Sequence, residues 1–171
     1  MAALPGANLQ RIDYVGPQVG QEMATKGFLA ILIALLGTMV YIAIRFEYRF
    51  AIGAAIALIH DPVLIMGLFS FFRWEFNLTV LAAVLAVIGY SLNDTIVIFD
   101  RIRENFRKLR KGTPLEVVNL SINQTLSRTI MTSVTTLIVV LALFIYGGTM
   151  IHGFALALII GIIVGTYSSI Y

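Results

Sequence analysis

Between Gly89 and Asn105 the chain reads Gly-Tyr-Ser-Leu-Asn-Asp-Thr-Ile-Val-Ile-Phe-Asp-Arg-Ile-Arg-Glu-Asn, beginning inside a long apolar run and leaving it through alternating charges. Asp94 lies within the apolar part, with Asn93 beside it and Tyr90 one turn away. A carboxyl group placed in the membrane interior costs about 2.5 to 3.5 kcal/mol on insertion scales, so a function is its default explanation. Apolar surroundings favour the neutral acid and a nearby cation favours the carboxylate. A group held between those two influences can take up and release protons. At 1.5 Å per residue, Asp94 stands about 10 Å from Arg101 at the basic edge of the run, too deep to reach lipid headgroups comfortably.

Two further places break the apolar pattern. Arg128 stands two residues before a later apolar run and is followed on the same helix by Thr132, Thr135 and Thr136. Its position suits a side chain snorkelling to the interface. The side chain is also long enough to extend past Thr132 towards the depth of Asp94. If the two helices are neighbours, Asp94 and Arg128 pair when the acid is ionised and part when it is protonated, which couples charge to helix packing. The other place is His60-Asp61-Pro62, near the middle of an apolar run. Asp61 continues the Gly53, Ala57 stripe at four-residue spacing and is expected to face a neighbouring helix. Pro62 cannot donate to the carbonyl of residue 58 and is expected to kink the helix. His60 and Asp61 are thus either a proton or ion site or the polar parts of a structural joint. An intramembrane aspartyl protease would need two carboxylates sharing a proton. Asp61 and Asp94 are expected at different depths, and no Gly-x-Gly-Asp signature surrounds Asp94, so the chain is read as no enzyme.

The elements that must position these groups follow from composition. Of 171 residues 59% are hydrophobic and 12% charged, with a mean hydropathy of +0.92, against roughly 25% charged in a soluble domain. The chain is an integral membrane protein of all-α class. It has no cysteine, which excludes disulfides and thiolate metal sites, and no metal or other cofactor is expected. Its net charge of +3 is concentrated in one loop, so nucleic-acid binding is not indicated.

Five apolar runs, at 27–44, 50–72, 78–99, 130–146 and 153–171, are each near the ~20 residues that span a bilayer as a helix. Nine Lys and Arg fall on the side of the 100–129 link and three on the other, which makes the link and the C-terminus cytoplasmic and the N-terminal segment external. Residues 1–26 are polar, with a strand expected at Arg11–Val15, and read as the end of a soluble domain and its linker. An external N-terminus before five spans leads to the expectation of a further preceding span. Within the link, the third helix is expected to continue to Lys111 and stop at Gly112. Thr113, Pro114 and Glu116 then form a capping box opening an interfacial helix at 114–127, whose apolar face is Leu115, Val118, Ile122 and Leu126. Small-residue stripes at Gly53 and Ala57, at Ala82 and Ala86, and at Gly161, Gly165 and Ser169 are expected where helices approach.

The Gly89–Asn105 run, together with Val15-Gly16-Pro17-Gln18-Val19-Gly20, His60-Asp61 and Gln124-Thr125-Leu126-Ser127-Arg128-Thr129, resembles the SecF family, the smaller membrane subunits of the bacterial SecDF complex in the RND superfamily. The resemblance implies five helices of a six-helix bundle, with residues 1–26 the remnant of a periplasmic α+β domain, in a multi-pass protein of the bacterial inner membrane. It implies a subunit that uses the proton motive force with SecD to promote polypeptide translocation through SecYEG. Protons are then the coupling ion, and the partners are SecD, SecYEG, the translocating preprotein, membrane lipid and, more remotely, YajC and YidC. The family's relay Asp falls on Asp94 and its required Arg on Arg128. Asp61 matches a family position of less certain role, with His60 beside it, and Tyr90, Asn93 and Thr132 are read as supporting polar groups. The competing reading is a non-transporting scaffold that organises the translocon and uses its intramembrane polar groups only for packing.

Overall fold

The computed structural model describes residues 17–45, 48–109 and 113–170. The strand expected at 11–15 and Gly112 lie outside them, as do residues 1–16 of the expected domain remnant; the third helix ends at Lys108 with Leu109 as an extended cap, short of the Lys111 expected. The described residues form five helices: α1 (Pro17–Arg45), α2 (Tyr48–Phe71), α3 (Leu78–Lys108), α4 (Pro114–Tyr146) and α5 (Thr149–Ile170). All five are long and apolar enough to cross a membrane.

Helix α1 starts at Pro17, within the segment expected to be a linker. Proline suits the first helical position because its missing N–H would have no partner there. The turns that follow are held by a Lys26–Glu22 ion pair at 2.5 Å and by the Thr25 hydroxyl donating to the Gln21 carbonyl at 2.9 Å. At its other end α1 is tied to α3. Arg45 pairs with Asp100 at 3.5 Å, and Arg103 donates to the Arg45 carbonyl at 3.4 Å, satisfying a carbonyl left open at the end of the helix.

Helix α2 runs without interruption through Pro62. It ends in a Schellman motif, in which Trp74 N donates to Phe69 O at 3.0 Å and Arg73 N donates to Ser70 O at 3.2 Å. The matching apolar contact is Phe69 against Trp74, edge to face at 5.3 Å. Helix α3 is capped by Asn77, whose side chain accepts from Val80 N at 3.0 Å.

Helix α4 corrects the expectation of an interfacial helix followed by a separate span. It is one helix of 33 residues, opened by the expected capping box. No Gly or Pro occurs where a break was expected. Hydroxyls there close onto their own helix, Thr125 to Ser121 O and Thr132 to Arg128 O. Its buried face is not the apolar face of Leu115, Val118, Ile122 and Leu126. Val117, Ser121, Thr125, Thr129 and Ser133 are buried, whereas Leu115 is 70% exposed. In lipid, apolar side chains gain little by leaving the hydrocarbon, and small hydroxyl residues take the helix contacts.

Helix α3 is central and packs against each of the other four. Val80 meets Gly153, Val87 meets Gly161 and Ser91 meets Gly165. The offset between partners stays nearly constant, so α3 and α5 run parallel. Of the small-residue stripes, Gly161 and Gly165 are buried as expected. Ala82 and Ala86 are exposed, and Gly53 faces open space. A close helix contact needs a small residue on one side only, and here α5 supplies it beneath valines of α3. The buried stripe of α2 is Ala54, Leu58, Asp61, Ile65 and Phe69, which shares only Asp61 with the expected one.

Candidate functional site

Asp94 is 4% exposed, and its Oδ2 has no hydrogen-bond partner; neither has Oγ1 of Thr129, also buried. Two cross-links fix how α3 and α4 face each other. Tyr90 donates its hydroxyl to Ser133 at 3.1 Å, and Asn105 donates to Ser121 at 2.8 Å. For two antiparallel helices, interpolation between these contacts puts Asp94 level with Thr129. Two unpartnered buried oxygens therefore share one level of the α3–α4 contact.

Arg128, one residue before Thr129, lies close enough to Asp94 to act on it electrostatically. It forms no ion pair with it among the described residues. Instead it lines a cleft of about 300 Å³ with Val97, Asp100, Arg101, Glu104, Gln124 and Thr125. The cleft thus begins one turn along α3 from Asp94 and extends towards the basic link. Asp94 is enclosed, its cation stands beside it unpaired, and a polar cleft adjoins both.

Around this pair run hydroxyl contacts with a definite direction. Thr166 donates to Ile162 O at 2.6 Å, so in its 2.7 Å contact with Ser133 it must accept. Ser133 in turn accepts from Tyr90. The sequence Tyr90, Ser133, Thr166, Ile162 O links α3, α4 and α5. Asn105 makes the second join, its amide donating to Ser121 and, at 3.0 Å, to Gln124. Of the supporting residues expected from sequence, Tyr90 makes a cross-helix contact. Asn93 is exposed, and Thr132 bonds carbonyls of its own helix. Ser133, Thr166, Asn105 and Ser121 were missed. For Ser121 and Ser133 the signal was the four-residue recurrence of Ser121, Thr125, Thr129 and Ser133, a polar stripe on a helix otherwise rich in apolar residues.

Asp61 is fully buried where α2 meets α3 and α5. Its Oδ1 lies 3.0 Å from His60 Nδ1 and accepts from Ser168 at 3.3 Å. His60 Nδ1 also lies 2.9 Å from Ala57 O. A carbonyl can only accept, so Nδ1 carries the proton in that contact. Asp61 Oδ2 and Ser91 Oγ have no partner, and both converge on Gly165, where an added Cβ would stand 3.5 and 3.4 Å from them. Ser91 is one turn from Asp94 on α3, so the two carboxylates are closer in depth than expected from sequence. They nevertheless share no hydrogen bond among the described residues. Nor do those residues include a group of three or more His, Cys, Asp or Glu able to hold a metal ion.

A bundle of five apolar helices with buried, incompletely bonded carboxylates at helix junctions is the construction of a membrane transport protein. The profile of the family described as protein export membrane protein SecD/SecF, C-terminal, matches residues 3–171, and the chain belongs to this family. It is a family of transport proteins and not of catalysts. The chain is 60% identical over 163 residues to a protein translocase subunit SecF from Vibrio alginolyticus, covering 95% of this chain and 52% of that one. To the Pseudomonas aeruginosa subunit it is 58% identical over 165 residues, covering 96% and 54%. The chain therefore spans about half the length of the curated relatives it matches. Among solved structures, SecDF from Thermus thermophilus superposes with a TM-score of 0.85 at 47% identity, covering 91% of this chain and 22% of that one. SecDF in a super-membrane-facing form gives 0.80 at 45% identity, covering 92% and 21%.

Proposed function

We propose that this chain is the membrane portion of a SecF subunit that pairs with SecD in a bacterial inner membrane and uses the proton motive force to promote polypeptide export through SecYEG. In this reading the chain supplies five spans of a six-span unit, with the 100–129 link and the C-terminus cytoplasmic. Asp94 is the protonation site and Arg128 its switchable partner, while Asp61 and His60 extend the relay on the α2 side. The observation that carries the reading is the relation of Asp94 to Arg128: a buried carboxyl oxygen without a partner, beside a guanidinium that stands in a polar cleft instead of pairing with it. Ionisation of Asp94 draws Arg128 inward, and protonation releases it. Each proton crossing the membrane supplies about 2.3 kcal/mol per 100 mV, enough over a few protons to drive a change in helix packing.

The test uses the full-length subunit assembled with SecD and SecYEG in inverted membrane vesicles, with preprotein export measured with and without a proton gradient. Asp94→Asn and Arg128→Met are expected to abolish the gradient-dependent part while leaving the complex assembled. Gradient stimulation retained by both variants would rule the mechanism out. Loss of assembly with SecD would favour the scaffold reading.

A further inference from the structure

The turn from α2 to α3 carries a residue its geometry does not favour. In a Schellman motif the position after the helix cap adopts the left-handed conformation and is usually glycine. Here it is Arg73, at φ 56°, where a Cβ crowds the backbone. A side chain held in a disfavoured conformation points to a task for that side chain. Arg73 lines a cavity of about 340 Å³ with Met66, Phe69, Ser70, Trp74 and Phe76.

The wall of that cavity is already braced. Phe69 holds Trp74 and Phe76 edge-on, at 5.3 and 6.3 Å, and Phe72 stacks on Trp74 at 4.7 Å. Against these apolar surfaces stand one guanidinium and one hydroxyl, from Arg73 and Ser70. No ion pair or side-chain hydrogen bond engages Arg73 among the described residues. The neighbouring Glu75 is exposed and does not line the cavity. Met66, Phe69 and Ser70 line it from the last turns of one span, which ends at Phe71, and Arg73, Trp74 and Phe76 from the link to the next at Leu78, which in a bilayer is near the level where headgroups meet hydrocarbon. Aromatic side chains favour that level.

We infer that this cavity is a phospholipid site, with the lipid phosphate held by Arg73 and Ser70 and an acyl chain lying against Met66, Phe69, Trp74 and Phe76. A soluble anion would use the cation and leave the apolar wall empty. A plain hydrocarbon would fill the wall and have no use for the cation. A phospholipid carries both an anionic head and a chain and matches both, and it is the abundant such molecule in a bilayer.

The test is photolabelling of the full-length protein in its SecD-containing complex, in nanodiscs of phosphatidylethanolamine and phosphatidylglycerol carrying a diazirine-acyl phospholipid. Labels are mapped by mass spectrometry. Labelling at 66–76 is expected to exceed that at other lipid-facing segments several-fold, and to fall to background in Arg73→Gln. Arg73→Gly is expected to lose the label equally while keeping or raising thermal stability, because glycine suits the turn. Labelling that ignores both substitutions, or that is matched by a diazirine diacylglycerol lacking phosphate, would overturn the assignment. So would full competition by glycerol phosphate, which would make the site one for a soluble anion.

Discussion

Gly161 lies beneath Val87 so closely that an added methyl group would overlap the valine side chain. This contact fixes the spacing of α3 and α5, the two parallel helices at the centre of the bundle. Gly161→Ala is expected to destabilise by about 1–3 kcal/mol through overpacking, read as a shift in unfolding in mixed detergent micelles. Val87→Ala in the same chain should recover part of that loss, and a double-mutant cycle measures how much. Purely additive effects would show that the two residues do not carry the contact.

Asn105 joins α3 to α4 with both hydrogens of its side-chain NH2 donated. Asn105→Leu removes both bonds, and a loss of about 1–3 kcal/mol is expected because the site is buried. Arg101 and Glu104, partly exposed and paired at 2.7 Å, give the contrast. Glu104→Gln is expected to change stability less, because its partners are solvent-screened, and a larger effect than that of Asn105→Leu in the same unfolding assay would reverse the ranking.

The direction of the hydroxyl contacts makes their ends unequal. Tyr90→Phe removes one donor at the edge and leaves Ser133 still donating to Thr166, so a loss of about 0.6 kcal/mol, the average for such bonds between membrane helices, is expected. Thr166→Val removes the acceptor of Ser133 and the donor to Ile162 O together, and should cost more. Equal losses would mean that the proton order deduced for this chain is incorrect.

Asp61→Asn keeps an oxygen where Ser168 donates and places an amide where Oδ2 now has no partner, facing Ser91. Thermal stability is expected to stay close to the parent's, because the oxygen facing Ser168 and His60 is kept. Gradient-dependent export in the assembled complex should fall, because the amide cannot exchange a proton. Full export by a stable Asp61→Asn protein would confine the residue to packing.

Much of the architecture was legible because membrane helices announce themselves by length and hydropathy, and the capping box at Thr113 did so by residue type. Asp94 and Asp61 stood out because an ionisable group in an apolar run is costly, and Arg128 because it stands just before such a run and can reach along it. The faces of the helices were harder to read. Leu115 and Val118 mark an apolar face, but in lipid such a face gains little by burial, and the buried face is that of Ser121, Thr125 and Thr129. The α1 start was obscured by Gly20 and the polar residues that follow Pro17. The open relation of Arg128 to Asp94 depends on side-chain placement across two helices, which spacing along the chain does not determine.

The stripe of hydroxyls on α4 repeats once per turn, so its middle rungs are interchangeable. Its two ends are not. Sliding α4 by one turn in one direction would bring Thr125 to Asn105 but Leu137 to Tyr90; sliding it the other way would bring Thr129 to Tyr90 but Val117 to Asn105. Only the observed alignment satisfies both ends at once, as the two marks of a vernier coincide at a single setting. Whatever motion α4 makes against α3, a ratchet of whole turns along the helix axis is the one this pair of helices resists.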